Sequence, residues 1–170
     1  MQATIHKLVF RNATPEDLPE IVSIYNSTIE SRLVTADLVP VTVEEKLPWF
    51  YEHHSKRPLW IVADDNQTLG WVSLQDFYGR PAYNGTAEIS IYLHERWRGK
   101  GYGKKILERS IRYAATLQIH TLLGYIFAHN TVSLQLFSNA GFVEWAHLPG
   151  IAIMDGNDYS LKILGKKLPA

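Results

Sequence analysis

The residues best suited to chemistry in this chain are Arg98-Gly99-Lys100-Gly101-Tyr102-Gly103, where glycine stands at every second position among basic side chains. Arg96, Lys104 and Lys105 extend the positive charge on either side. Glycine lets backbone N–H groups come close to an anion, and a helix N-terminus adds unpaired N–H groups and the positive end of a dipole. The run stands between a strand and a helix. Thr86 to Leu93 alternates, with Ala87, Ile89, Ile91 and Leu93 on one face and Glu88, Ser90 and Tyr92 on the other. Downstream, Ile106, Leu107, Ser110, Ile111, Ala114 and Ala115 recur at helical spacing. Strand, glycine-rich turn and helix start together make a cradle for a pyrophosphate. As residues alone, the run also suits a turn edged by solvated cations.

Two common phosphate cradles do not fit. A P-loop with Gly103-Lys104 as its Gly-Lys pair needs glycine at 98 and a hydroxyl at 105, where Arg98 and Lys105 stand. In a dinucleotide fingerprint the third glycine would come one residue later, and the acidic ribose ligand downstream is missing. Arg98, Gly101 and Gly103 instead spell R-x-x-G-x-G, which resembles the acetyl-CoA signature of the GNAT N-acetyltransferase family. A second block, Asn130-Thr131-Val132-Ser133-Leu134-Gln135-Leu136-Phe137-Ser138-Asn139-Ala140-Gly141-Phe142, resembles that family too. The resemblance implies that residues 98–103 hold the acetyl-CoA pyrophosphate. It implies that the backbone of Ile91, Tyr92 and Leu93 orients the thioester. Asn130 would bond the pantetheine arm, Ser133 would lie near the phosphates, and Phe137 would line the site. Asn130 also suits a helix cap, which uses different atoms. Many members of the family carry a tyrosine at the position of Phe137 and use it to protonate the departing thiolate. Phenylalanine cannot, which leaves Tyr92, Tyr125, His129 or water for that step.

The elements around these motifs are expected as follows. Lys7 to Asn12 reads as a strand. Thr14-Pro15-Glu16-Asp17 starts a helix whose buried stripe is Leu18, Ile21, Val22, Tyr25 and Ile29. Ser31 to Val41 is a loop, and Thr42-Val43-Glu44-Glu45 is a capping box opening a second helix with Leu47, Phe50 and Tyr51 inward. Leu59–Ala63 and Thr68–Gln75 form a hairpin across a turn at Asp64-Asp65-Asn66-Gln67. A loop from Phe77 to Gly85 precedes the 86–93 strand and a helix over 102–117. Thr121–Phe127 is a strand, Asn130–Ala140 a helix stopped by Gly141, and Phe142–Leu148 and Asp158–Leu164 are closing strands. The order βααβββαβαββ is mixed α/β. It is similar to the GNAT acyl-CoA N-acyltransferase fold, in which a mixed central sheet of about seven strands is flanked by four helices. One domain over residues 1–170 is expected, since 170 residues with 46% hydrophobic content can bury a single core.

Basic and acidic residues balance at 17 each, which argues against a general polyanion binder and hence against nucleic acid. No apolar run reaches membrane-spanning length, and Met1 to Phe10 is too short and polar for a secretory signal. A cytoplasmic protein without a membrane partner is expected. With no cysteine, a thiol nucleophile and thiolate metal sites are excluded. The adjacent His53 and His54 point about 100° apart on a helix, so they do not chelate as an i,i+4 pair. No metal site is expected, and Asp155-Gly156-Asn157-Asp158 reads as a turn.

Acetyl transfer to an amine requires a free amine, and so a base. Glu88, on the polar face of the strand leading into the glycine run, is the candidate; by position alone it equally suits a solvent-facing strand residue. A narrower resemblance bears on it. Gly79-Arg80-Pro81-Ala82-Tyr83-Asn84 and Thr86-Ala87-Glu88-Ile89-Ser90-Ile91-Tyr92-Leu93 are similar to the phosphinothricin and methionine sulfoximine acetyltransferases, as are Ile24-Tyr25-Asn26, the 40–50 segment and Pro149-Gly150. This implies Glu88 as general base, Arg80, Tyr83 and Tyr78 as acceptor-binding residues, and a homodimer with its pocket near the interface. Some members carry a tryptophan and an aspartate near 156–160, where this chain has Asp158 and Ser160. The expected activity is acetyl transfer from acetyl-CoA to the α-amine of a small amino acid or toxic analogue. A peptide or protein N-terminus as acceptor, and a catalytically silent CoA-binding sensor, are the alternatives.

Overall fold

The computed structural model describes residues 7–65 and 67–169. The strands are β1 (Val9–Asn12), β2 (Leu59–Asp64), β3 (Gln67–Asp76), β4 (Thr86–Leu93), β5 (Thr121–Phe127), β6 (Val143–Met154) and β7 (Asn157–Lys167). The helices are α1 (Leu18–Asn26), α2 (Val43–Tyr51), α3 (Tyr102–Thr116) and α4 (Thr131–Asn139). They follow the expected order. β4 spans the alternating stretch read from the sequence, and β5 spans the strand expected over Thr121–Phe127. The expected turn residue Asn66 lies outside the described residues.

One seven-stranded sheet runs β1-β2-β3-β4-β5-β7-β6. Its neighbours are antiparallel except β4 and β5. On one face Ile21, Ile24 and Tyr25 of α1 pack on Leu59, Ile61 and Trp71, with Trp49 and Phe50 of α2 at the margin. On the other, Ile106, Leu107 and Ala114 of α3 and Phe137 of α4 cover Val72, Ala87, Ile89 and Leu122. Each large apolar side chain so buried contributes about 1.5–3 kcal/mol. β4 is therefore covered on both faces: Ala87 and Ile89 face α3, while Glu88, Ser90 and Tyr92 face the α1/α2 layer.

Several boundaries differ from the sequence expectation for identifiable reasons. β1 starts at Val9, not Lys7, because Val9 pairs with Ala63 close to the end of its partner strand. Pro15–Asp17 form a 3₁₀ turn before α1 begins, since Pro19 has no N–H to continue an α-helical ladder backwards. Ile29 is buried as expected but lies beyond the helix. Tyr51, expected inward, is 67% exposed at the last position of α2. β6 and β7 run past their expected ends. Pro149-Gly150 does not end β6: the strand bulges between Leu148 and Ala152 and continues, and its place at the sheet edge tolerates the proline. The β6–β7 hairpin turns at Asp155 and Gly156, at φ 51° and 78°.

Candidate active site

The parallel pairing of β4 with β5 is short. Only Thr86, Ala87 and Glu88 pair with Thr121, Leu122 and Leu123. Beyond Glu88, β5 continues beside β7 while β4 continues beside β3, and the two strands part. His94 N–H donates to Leu69 C=O. In the antiparallel alternation, residues 88, 90 and 92 therefore bond to β3, and 89, 91 and 93 turn their N–H and C=O toward the gap. The gap is a channel of about 60 Å³ walled by Ile91, Tyr92, Tyr125, Asn130, Ser133 and Phe137.

The glycine run lies between the end of β4 and the start of α3. Gly99 and Gly101 take φ of 70° and 82°, a left-handed backbone that side chains disfavour. A Cβ on either would meet nothing within 4 Å. Gly101 caps α3, so the unpaired N–H groups of its first turn begin beside open space. This backbone fits a pyrophosphate. Gly103 differs: it has no positive φ, and a Cβ there would make ordinary contact with Leu136 of α4 at 3.4 Å. Arg98 fixes the loop, its Nε donating to Leu93 C=O at 3.0 Å and an Nη to Ser27 Oγ at 2.8 Å. Lys100 lies over Trp97, and the Tyr102 hydroxyl donates to Asp64 at 3.0 Å, which leaves Tyr102 its backbone N–H at the helix start.

Asn130 caps α4, its Oδ1 accepting from Ser133 N–H at 3.1 Å while Nδ2 donates to Leu33 C=O at 3.1 Å. The capping role is thus present, and Nδ2 retains a second N–H. The ring of Phe137 lies against the backbone of Gly124, where a Cβ would come within 2.6 Å of it.

Behind β4 lies a second cavity of about 230 Å³, lined by Tyr25, Lys46, Trp71, Ser73, Glu88 and Tyr92 among others. Ser90 and Tyr92 line both this cavity and the channel. Glu88 is largely buried, and that burial pushes its carboxyl pKa up, toward the range of a working base. Tyr92 stacks on Trp71 at 4.4 Å, and Tyr25 leans on Tyr92 at 5.2 Å. The Tyr25 hydroxyl is bonded to Thr35 and Asp37, which leaves its ring face to the cavity. His53 is held through both ring nitrogens. Its Nδ1–H donates to Trp49 C=O at 2.9 Å, and in the neutral ring Nε2 accepts from Ser73 Oγ–H at 2.7 Å. Burial lowers the His53 pKa, which favours that neutral ring.

The expected acceptor-binding residues are elsewhere. Arg80, Tyr78 and Tyr83 sit on the exposed 77–85 loop and do not line the Glu88 cavity. Tyr78 is 78% exposed and, with Tyr83, packs edge-on to Phe77. A loop arginine has no strand or helix to aim it, and the sequence gives no direction for its side chain. Of the acid candidates, Tyr92 and Tyr125 border the channel, whereas His129 Nε2 contacts Arg32 C=O at 2.7 Å. Burial, then the charge of Glu88, raises the Tyr125 pKa. Lys46, Ser73 and Ser90 are cavity residues that sequence reasoning missed. Strand parity marks Ser90 as a companion of Glu88, and Lys46 follows the capping box directly. Among the described residues no three His, Cys, Asp or Glu side chains are grouped to hold a metal ion.

Known proteins share this architecture. YwnH of Bacillus subtilis (strain 168), provisionally named a phosphinothricin acetyltransferase, is 51% identical over 162 residues, covering 95% of this chain and 99% of YwnH. An L-methionine sulfoximine/L-methionine sulfone acetyltransferase of Pseudomonas paraeruginosa (strain DSM 24068 / PA7) is 29% identical over 143 residues, 83% of each chain. The crystal structure of a protein provisionally described as a phosphinothricin N-acetyltransferase superposes with a TM-score of 0.93 at 51% identity, covering 96% of this chain and all of that one. Residues 7–143 match the acetyltransferase (GNAT) domain. With that match over most of its length, its α/β sheet and its half-identical relative, the chain belongs to the GNAT N-acetyltransferase family.

Proposed function

We propose that this protein transfers the acetyl group of acetyl-CoA to the α-amine of a small amino acid or an analogue of phosphinothricin, methionine sulfoximine or methionine sulfone type, with Glu88 as general base. The observation that carries the proposal is the common wall. Ser90 and Tyr92 face both the channel and the cavity that holds Glu88, so an amine in the cavity and a thioester in the channel can meet across β4.

Each residue has a defined part. The backbone N–H groups at Gly101 and the start of α3 hold the pyrophosphate. Asn130, Ser133 and Phe137 flank the pantetheine arm. The N–H of Ile91, turned into the gap, polarises the thioester carbonyl. Glu88 takes a proton from the acceptor ammonium, directly or through one water. The free amine then attacks the carbonyl carbon; the C–N bond forms as the C–S bond breaks. The nitrogen of the new amide loses its remaining extra proton to solvent, and the thiolate takes up one from Tyr125 or water. At about 230 Å³ the cavity falls below the roughly 300 Å³ of a drug-sized site, which favours a single amino acid over a peptide terminus.

The sheet edge supports a homodimer. Val143, Trp145, Ile151 and Ile153 of β6 are exposed apolar residues on an edge strand, a surface that pairing with a second copy would cover. The function is tested by supplying acetyl-CoA with a panel of amino acids, amino-acid analogues and peptides and following free thiol release. Turnover confined to small α-amino acids supports the proposal. Turnover only with peptides, or none with any amine, contradicts it.

A further inference from the structure

We infer that Lys46 selects acceptors that carry an anionic group, by pairing its ammonium with that group inside the cavity. The inference rests on the proposed function, which makes this cavity the acceptor site.

Lys46 is the one lysine or arginine among the residues lining the cavity. Its Nζ stands 4.2 Å from the centroid of the Tyr25 ring and 5.5 Å from that of Trp49. Two aromatic faces therefore hold the cation in place. Among the described residues no carboxylate lies within ion-pair distance of it. The nearby Glu45 is committed elsewhere, its carboxylate accepting from Thr42 N–H at 2.7 Å in the capping box. Among the described residues Lys46 and Glu88 form no ion pair across the cavity they both line. Nor does the helix benefit. Lys46 follows the first turn of α2, where the dipole favours acids and opposes a cation. What remains is a cation held on aromatic walls, facing the same space as the base. An amino acid complements that pair: its amine goes to Glu88 and an acid goes to Lys46. Arg80, which could otherwise take the acid, is on the exposed loop off the cavity. The acid recognised is either the α-carboxylate or an acid on the side chain, and the test separates them.

The experiment compares wild type, Lys46→Met and Lys46→Arg. Methionine keeps the apolar stem over Tyr25 and Trp49 and removes the charge. Three acceptors are used: methionine sulfone, with a free α-carboxylate; its α-amide, with no acid; and isoglutamine, with only a side-chain acid. Loss of a charged hydrogen bond worth about 1.5–3 kcal/mol corresponds to a KM increase of roughly ten- to a hundredfold. Lys46→Met is expected to raise KM by that factor for methionine sulfone, if the α-carboxylate is bound, or for isoglutamine, if the side-chain acid is. KM for the α-amide should stay within about twofold, kcat within a few fold, and Lys46→Arg should restore most of the affinity. Calorimetric titration of methionine sulfone should give the same order of variants when the α-carboxylate is the acid bound. An equal KM rise for all three acceptors, or none for any, overturns the role of Lys46 and leaves the acceptor class intact. A wild-type protein that acetylates the amide but neither acid-bearing acceptor overturns the acceptor class itself, and this assignment with it.

Discussion

Phe137 shows how far a single residue can be read. The missing hydroxyl was legible in the sequence, but its surroundings were not. The ring lies on the backbone of Gly124 and edge-on to Phe142 at 4.8 Å. Phe137→Tyr adds an oxygen to a packed site and supplies no acid that the thiolate requires. We expect kcat to change by less than about threefold or to fall, because overpacking costs about 1–3 kcal/mol. Steady-state kinetics with saturating acetyl-CoA checks this, and a large gain would show protonation of the leaving group to be limiting. Glu88 carries a separate cost. A glutamate ionises near 4.5 when unfolded and higher in this fold because it is buried. Between those values the folded state binds more protons, so stability falls as pH rises through that window and remains lower above it. Glu88→Gln should therefore raise the melting temperature at neutral pH, by about 2–4 °C per kcal/mol recovered, and make little difference below about pH 4. Thermal melts at both pH values decide it; a lower Tm at neutral pH contradicts the burial cost. Arg80 and Lys46 show the other limit. Sequence identifies a cation near a motif, but only the fold decides which one enters the cavity.

At the scale of elements, regular patterns were legible and interruptions were misread. Strict alternation fixed β4, and the Thr42/Glu45 capping box is formed with both reciprocal hydrogen bonds. The strand expected over Phe142–Leu148 runs on to Met154, because its long-range pairing with β7 past Pro149-Gly150 is not displayed in the sequence. The glycine run was legible as a turn, yet its glycines divide into two at positive φ and one at a helix contact. Gly101→Val would have to hold φ near 82° and place a branched side chain in the open space proposed for the pyrophosphate. Acetyl-CoA affinity by calorimetry should fall at least about tenfold, a loss of 1.4 kcal/mol or more, with the far-ultraviolet dichroism of a folded chain. Unchanged affinity would remove the cradle. The end of α2 is tied to the sheet by His53 and Ser73. Burial sets the His53 pKa below its ordinary 6.5, so the unfolded state binds more protons in that interval and stability drops as pH falls through it. Denaturant unfolding at about pH 8 and about pH 5.5 should show a smaller difference for His53→Gln than for wild type. An equal difference in both proteins would put the pH dependence elsewhere.

Over the whole molecule, strand number and α/β class were legible, but strand order was not. No residue pattern announces that β7 inserts between β5 and β6, or that β4 and β5 part after three paired residues. That parting creates the channel, and it places Ile91 beside the gap and Glu88 just behind it. The proposed dimer is a whole-molecule property as well. Replacing Ile153 and Ile151, 69% and 56% exposed on β6, with lysine should shift light-scattering mass from two chains toward one. A monomeric wild type would contradict the assignment.

The central claim is that Glu88 removes the amine proton, and the pH profile of Glu88→Gln tests it most directly. Removal of a general base lowers rate by about 10²–10⁴-fold. With the best amino-acid acceptor, kcat/KM of the variant should fall by that factor near neutral pH. The deficit should shrink as pH rises and the acceptor amine loses its proton unaided, while acetyl-CoA affinity stays the same. A deficit of the same size at every pH would make Glu88 a positioning group, and full activity near neutral pH would contradict the account.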